Sequence, residues 1–288
     1  MVKRGLQEPQ GGRLRLHEAA PLKWLASAAV VGLGLAGCQP AGNSAAEEAA
    51  EAIPSRLPDE ASPPSVDEVL ESMITFMSGS TELSFRAQVS YQVLQENGQI
   101  VHFDRMLAMS LARPDRLFWE TIRDDASADS VWFSDGVLTM LKRPDDVYAQ
   151  VELPATVPEM ADEMLAVYNI RVPLADLLAG HAREIFITGP TEKWYIGKAW
   201  IDGGWTHHMA LRNEALDLEV WVRSEGDPVP VRFAITWVHD EGAPSYVARF
   251  RDWNFSPSFD DATFRFTTPA DAELVEVLPV PIDPEYGS

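Results

Sequence analysis

The stretch LSFRAQVSYQVLQENGQIVHFDRMLAMSL, residues 83–111, decides the fold. Leu83, Phe85, Ala87, Val89, Tyr91 and Val93 alternate with polar residues, and a period of two puts successive side chains on opposite faces of a strand. Asn97-Gly98 is the dipeptide best suited to a tight hairpin, because both of its residues tolerate positive φ. Val101, Phe103, Leu107, Met109 and Leu111 resume the alternation, and Arg113-Pro114-Asp115 ends the second strand. The product is an antiparallel hairpin with one apolar face and one wet face.

The same grammar continues downstream. Strands are expected at 117–123, 131–134, 137–142 and 147–153, with turns at Asp125–Asp129, Asp135-Gly136 and Arg143–Asp146. A helical interruption comes next, in which Met160, Met164, Val167 and Tyr168 keep helical spacing and Leu174, Leu177 and Leu178 precede Gly180. Strands resume at 184–188, 193–202, 205–212, 218–223, 229–239, 246–255 and 263–267, before a Pro-rich acidic tail of extended chain after Pro269. Upstream, Ser65 and Glu68 form a capping box, Val66 to Met77 recur at helical spacing, and Gly79 stops the helix, which is expected over 66–77. The fold class is therefore mainly β (α+β). About eleven strands form one curved antiparallel sheet, an open half-barrel with a helical lid.

Composition narrows the function classes. The chain has 288 residues, of which 46% are apolar and 23% charged, an ordinary globular balance. Lys and Arg number 23 against 44 Asp and Glu, a formal charge of -21 that argues against sequence-independent nucleic-acid binding and against a polybasic membrane patch. One cysteine excludes an internal disulfide framework.

That cysteine lies in an informative place. Residues 1–23 carry Lys3, Arg4, Arg13, Arg15 and Lys23, and an apolar run of twelve residues succeeds them, Trp24 to Leu35. As a helix the run spans roughly 18 Å, too short for a bilayer core of about 30 Å. A basic region, a short apolar region and small residues together describe a secretory signal. Leu35-Ala36-Gly37-Cys38 then resembles the lipobox of bacterial lipoproteins. That resemblance implies removal of residues 1–37 and acylation of Cys38. Gln39 in the second mature position, where Asp would stand otherwise, implies sorting to the outer membrane. Several acyl chains on one residue hold a protein to a bilayer stably, whereas one holds it marginally. Residues 39–64 are rich in Ala, Glu, Ser and Pro and cannot bury enough surface to order themselves, so residues 38–64 read as anchor plus tether. The folded domain is expected over 65–278, with an extended tail at 279–288.

Catalytic signatures are sparse. His207-His208 are strand neighbours whose side chains diverge, so they cannot readily share a metal. Asp124, Asp125 and Asp129 could hold calcium but lack the rest of an EF-hand and read as a solvated turn. Asp260-Asp261 reads as a turn cap. No metal, cofactor or enzyme activity is expected. The aromatic and methionine content is more telling. Phe85, Phe103, Leu107, Met109, Trp119, Met140, Trp221 and Trp237 are the candidate lining of a cavity for acyl chains. A filled core of the same residues is the competing reading, and periodicity alone does not separate the two.

A second resemblance rests on longer segments. LARPDRLFWE at 111–120, Asp135-Gly136-Val137-Leu138, and FRDWN at 250–254 with ATFRFTTP at 262–269 resemble elements of the Lol-type lipoprotein-carrier superfamily. HHMALR at 207–212, LDLEVWV at 216–222 and GDPVPVR at 226–232 resemble a family of predicted periplasmic proteins thought to share that fold. The resemblance implies a half-barrel with a lid, holding a lipid or the acyl chains of a lipoprotein. It also implies that Arg113 latches the lid. A structural envelope protein without a ligand is the alternative.

The lipobox gives the first prediction. Cys38→Ser abolishes membrane association in cell fractionation, and a wild type that is soluble with residue 1 intact refutes the anchor.

Overall fold

Long apolar alternation builds the middle of the molecule first. The computed structural model describes residues 62–154, 156–168, 170, 172 and 180–278. The Cys38 anchor, most of the tether, Leu174, Leu177, Leu178 and the tail at 279–288 lie outside the described residues. The two strands read from 83–111 are β1 (Glu82–Leu94) and β2 (Ile100–Ala112), thirteen residues each, paired in unbroken register from Glu82 opposite Ala112 to Leu94 opposite Ile100. Gly98 closes the hairpin at φ 80° and donates its N–H to the Gln95 carbonyl at 2.8 Å.

β3 (Arg116–Arg123), β4 (Ala128–Ser134), β5 (Val137–Arg143) and β6 (Val147–Glu152) extend the sheet on one side as a meander. On the other side β11 (Ser245–Asn254) pairs with β1, and β10 (Pro230–Trp237), β9 (Leu216–Arg223), β8 (Gly204–Arg212) and β7 (Glu192–Ile201) lie beyond it in that spatial order. Every one of these pairs is antiparallel. The sheet does not close, and it forms a curved half-barrel with β7 at one edge. At the other edge β12 (Glu273–Leu274) adds two residues parallel to β6, so the expected extended tail contributes a short strand.

Among the described residues, two α-helices cover the inner face. In α1 (Val66–Gly79), the Glu68 carboxylate accepts the Ser65 N–H at 3.3 Å, and Val69, Leu70, Met73 and Met77 are buried. In α2 (Val157–Tyr168), the Thr156 hydroxyl donates to the Glu159 carboxylate at 2.6 Å, and Val157, Met160, Ala161 and Met164 are buried. The Val157 N–H donates to the Pro114 carbonyl at 2.8 Å, which ties the start of α2 to the β2–β3 turn.

Two expected strands are not strands. Residues Glu184–Thr188 form a π-helical turn closed by the Gly189 N–H on the Glu184 carbonyl. Ile185, Phe186 and Ile187 are consecutive, so their sequence carries no period of two, and Phe186 packs on Phe233 at 5.4 Å between ring centroids. At 263–267, Asp260 caps a 3-10 turn (Asp261–Phe264) by accepting the N–H groups of Ala262 and Thr263, as expected of a turn cap. Phe266 then lies against Trp132 and Tyr148 at 5.2 and 5.1 Å, on the outer side of the sheet. Its alternation with Phe264 reflects packing of an extended chain onto β4 and β6.

Phe133, fully buried on β4, marks the centre of this packing. Phe133→Ala is expected to cost about 3–5 kcal/mol in urea unfolding. Trp194→Ala, at an edge position that is 42% exposed, is expected to cost under about 1 kcal/mol.

Candidate functional site

The inner face of the sheet can be read row by row from the strand register. Leu83, Leu111, Leu117, Phe133 and Leu138 form one row, and Phe85, Met109, Trp119, Val131 and Met140 form the next. Ala87, Leu107 and Phe250 lie in a third, and the core they build with Met73, Met77, Met160 and Met164 is continuous. Beyond it are Val89, Ala248, Phe233 and Arg105, then Tyr91, Phe103, Tyr246 and Ile235. The inner face is thus dry beneath the helices and becomes wet and aromatic toward the Asn97-Gly98 end of β1 and β2.

The residues proposed from sequence to line a cavity divide accordingly. Phe85, Leu107, Met109 and Trp119 are buried in the core, and Met140 packs against it. Phe103 is half-buried and stacks on Tyr91 at 5.7 Å. Trp237 shares the phase of Phe233 and Ile235 on β10 and stands half-buried at the strand's end. Trp221 is a correction. Its neighbours Val220 and Val222 point inward, so Trp221 lies on the outer face, stacked with His208 at 4.1 Å and capped by the Arg232 guanidinium at 4.5 Å. It cannot line an inner cavity.

Trp253 reaches the inner face by a different route. Asp252 sits at φ 55° in a bulge where β1 and β11 shift register, and a bulge reverses the phase of the residues after it. Trp253 therefore turns inward, 4.4 Å from Phe85, and donates its indole N–H to the Pro230 carbonyl at 2.9 Å.

Arg113 lies at the foot of α1. Its Nε donates to the carbonyl of Ser80, the residue that caps α1, at 3.0 Å, and its backbone N–H donates to the Thr81 carbonyl at 2.8 Å. A cation at a helix C-terminus satisfies a carbonyl that has no partner within the helix and complements the dipole. Burial lowers the pKa of the guanidinium from its ordinary value.

The other candidates go to separate duties. His207 meets the Tyr195 hydroxyl at 3.0 Å on the inner side, while His208 meets the Glu219 carboxylate at 2.8 Å on the outer side. Hydrogen bonds from the Ser127 hydroxyl and then from its N–H hold the Asp125 carboxyl below its ordinary pKa, Asp129 pairs with Arg123, and Asp124 accepts the Asp104 N–H. Among the described residues no group of three His, Cys, Asp or Glu side chains is placed to hold a metal ion.

Open space is found at the margins. An open pocket of about 280 Å³ lies between α1 and the ends of β8 and β9, lined by Glu68, Val69, Ser72, His207 and Val222 among others. A second of about 250 Å³ lies on the outer side, between Trp132, Thr139, Gln150 and the Phe264–Phe266 segment. Both are smaller than the roughly 300–1,000 Å³ of small-molecule sites. Beneath the helices the inner face is filled by side chains.

Three solved structures are similar to the chain at low sequence identity. The lipoprotein LppX of Mycobacterium tuberculosis is 16% identical, covering 69% of this chain and 100% of its own, with a TM-score of 0.41. An uncharacterised conserved protein of Thermus thermophilus is 10% identical, with coverage of 74% and 99% and a TM-score of 0.42. A LolA superfamily protein of Nitrosomonas europaea is 8% identical, with coverage of 71% and 99% and a TM-score of 0.34. No curated protein sequence matches the chain. The sequence over residues 66–278, which runs from α1 to β12, matches the family of predicted periplasmic proteins DUF2092, and the chain belongs to that family.

Proposed function

We propose that the domain over 65–278 binds the acyl chain of a lipid or lipoprotein between its sheet and its helices, and that Cys38 anchors it to the outer membrane. The observation that carries this reading is the chemistry of the lid contact. α1 and α2 meet the inner face through Met73, Met77, Met160 and Met164, all fully buried, with Met109 and Met209 of the sheet in the same core. Methionine is unbranched and polarisable, and it repacks around irregular partners where Leu or Ile fixes one shape. An interface built this way tolerates exchange of one apolar partner for another.

Among the described residues, two ion pairs tie the first helix to the rest of the molecule. Glu71 pairs with Arg183 at the surface, and Asp67 pairs at 2.6 Å with Lys193, whose half-buried side chain also donates to the Ile187 carbonyl. Exposed pairs contribute about 0–1 kcal/mol. The Arg113 contact with Ser80 is more enclosed, which suits it to the latch that the sequence resemblance implies. Burying a fourteen-carbon chain yields about 10 kcal/mol gross at roughly 0.8 kcal/mol per CH₂, before association costs. Micromolar affinity corresponds to about 8 kcal/mol net, so the gross gain is of the order that such binding requires.

The filled inner face favours a second reading, an envelope protein whose core never opens. Titration of the delipidated protein with a fluorescent fatty acid separates the two. Acyl-chain binding predicts saturation at micromolar concentration and at least tenfold weaker binding by Leu107→Asp with unchanged circular dichroism. A folded, delipidated wild type that shows no saturable binding leaves the filled-core reading standing.

The latch is tested independently. Arg113→Gln is expected to lower the opening free energy of the last turn of α1 by about 1.5–3 kcal/mol, seen as faster hydrogen exchange of its amides. Unchanged exchange there refutes a latch at Arg113.

A further inference from the structure

The inner face carries a charge where its alternation calls for an apolar residue. Arg105 occupies the inward phase of β2 between Phe103 and Leu107, directly opposite Val89. Its guanidinium lies 5.0 Å from the centre of the Tyr91 ring and 6.0 Å from that of Tyr246. Tyr91 stands opposite both Phe103 on β2 and Tyr246 on β11, so three aromatic rings and one cation form a single patch across three adjacent strands.

Two features mark this patch as more than packing. The neighbouring inward cations are neutralised, Arg123 by Asp129 and Lys142 by Asp145 at 2.9 Å. Arg105 has no carboxylate partner among the described residues, in a chain whose formal charge is -21. The patch also sits on the border between wet and dry. Arg105, Tyr91, Phe103 and Tyr246 are half-buried, whereas Leu107, Ala87 and Phe250, one row deeper, are buried.

We infer that the ligand is an amphiphile with an anionic head, a carboxylate or phosphate, and that Arg105 and the Tyr246 hydroxyl receive that head while its chain runs inward over Leu107 and Met109. This rests on the acyl-chain reading above and adds the chemistry of the head. A guanidinium offers paired N–H donors in the fork that fits a carboxylate or phosphate. Burial keeps the Tyr246 hydroxyl protonated and therefore a donor, with its pKa raised against the opposing pull of Arg105. The distance suits a long chain. Arg105 to Leu111 spans six residues of strand, about 20 Å at 3.3 Å per residue, more than the roughly 15 Å one leaflet's chains occupy in a bilayer core of about 30 Å.

The test compares myristate with 1-monomyristoylglycerol, which has the same chain and a neutral head, on the delipidated wild type, R105Q and R105K at mildly alkaline pH. Acetate and inorganic phosphate, which have charge without a chain, are added as competitors. The expected result is a preference for myristate of about tenfold or more, the scale of one charge-assisted hydrogen bond. R105Q is expected to abolish that preference and R105K to restore part of it. Equal affinity for the two lipids in the wild type overturns this inference and leaves acyl-chain binding intact, as does an R105Q that weakens both by the same factor. Competition by acetate or phosphate at concentrations comparable to myristate identifies a free-anion site and overturns it too. Binding of neither lipid overturns both the inference and the reading it rests on.

Discussion

An antiparallel sheet that does not close has a face it cannot dry by itself. In a barrel the far wall covers the near one, but here β7 and β12 stand at opposite edges of one twelve-stranded sheet with no pairing between them. The inner face carries Leu83, Phe85, Leu107, Met109, Trp119, Phe133 and Leu138, all nearly or fully buried, and their burial depends on segments brought from elsewhere in the chain. α1 precedes the sheet, and α2 and the π-helical turn interrupt it between β6 and β7. The interruption therefore has a structural reason. A meander of β strands leaves nothing to fill its own concavity, and the chain leaves the sheet halfway through to supply that filling.

The central position of β1 comes from the same constraint. The N-terminal meander, β1 to β6, and the C-terminal one, β7 to β11, are joined where β11 pairs with β1, so the last long strand meets the first. That seam carries the bulge at Asp252, which turns Trp253 inward onto Phe85 and Phe250. Phe76 of α1 meets Phe255 at 4.7 Å just beyond it, and Phe255 stacks on Trp253 at 5.6 Å. The helix, the seam and the sheet are thus locked together by one aromatic cluster at the end of the half-barrel away from Arg105.

How much of the fold and the site is legible in the sequence depends on phase. Where alternation is strict, as over 83–111, both the strands and their inward residues can be read, and Asn97-Gly98 and Asp135-Gly136 place their turns. Asp135 and Gly136 both adopt positive φ, 53° and 73°, as that hairpin turn requires. Residue type misleads where it outweighs phase. Trp221 is large and apolar and so resembles the inward aromatics, although Leu218, Val220 and Val222 around it already assign its phase to the outer face. Three consecutive apolar residues at 185–187 have no phase, and tertiary contact with Phe233 decides their turn. Trp253 is unreadable for a different reason, since a bulge is set by the pairing of two distant strands. The charge at Arg105 is visible as a break in an apolar phase, and it is the kind of local inconsistency that marks a site.

A filled core and a binding cavity are less opposed than they look, because the filling comes from the lid. Fully burying one methionine side chain contributes about 1.5–3 kcal/mol, so the four on α1 and α2 contribute on the order of 6–12 kcal/mol gross to keeping the helices down. A fourteen-carbon chain in the same place contributes about 10 kcal/mol by the same measure. Val69, Leu70, Val157 and Ala161 of the same helices are buried too and add to that hold, so a chain that took their place would have to replace more than the methionine contacts alone. An interface of leucine and isoleucine would gain more from fixed packing in the closed state and would repack less readily around a chain. Under the acyl-chain reading proposed above, methionine at the helix–sheet contact is the residue type that lets a closed interface repack around a chain, and the wet border at Arg105 is where charge would bias the exchange.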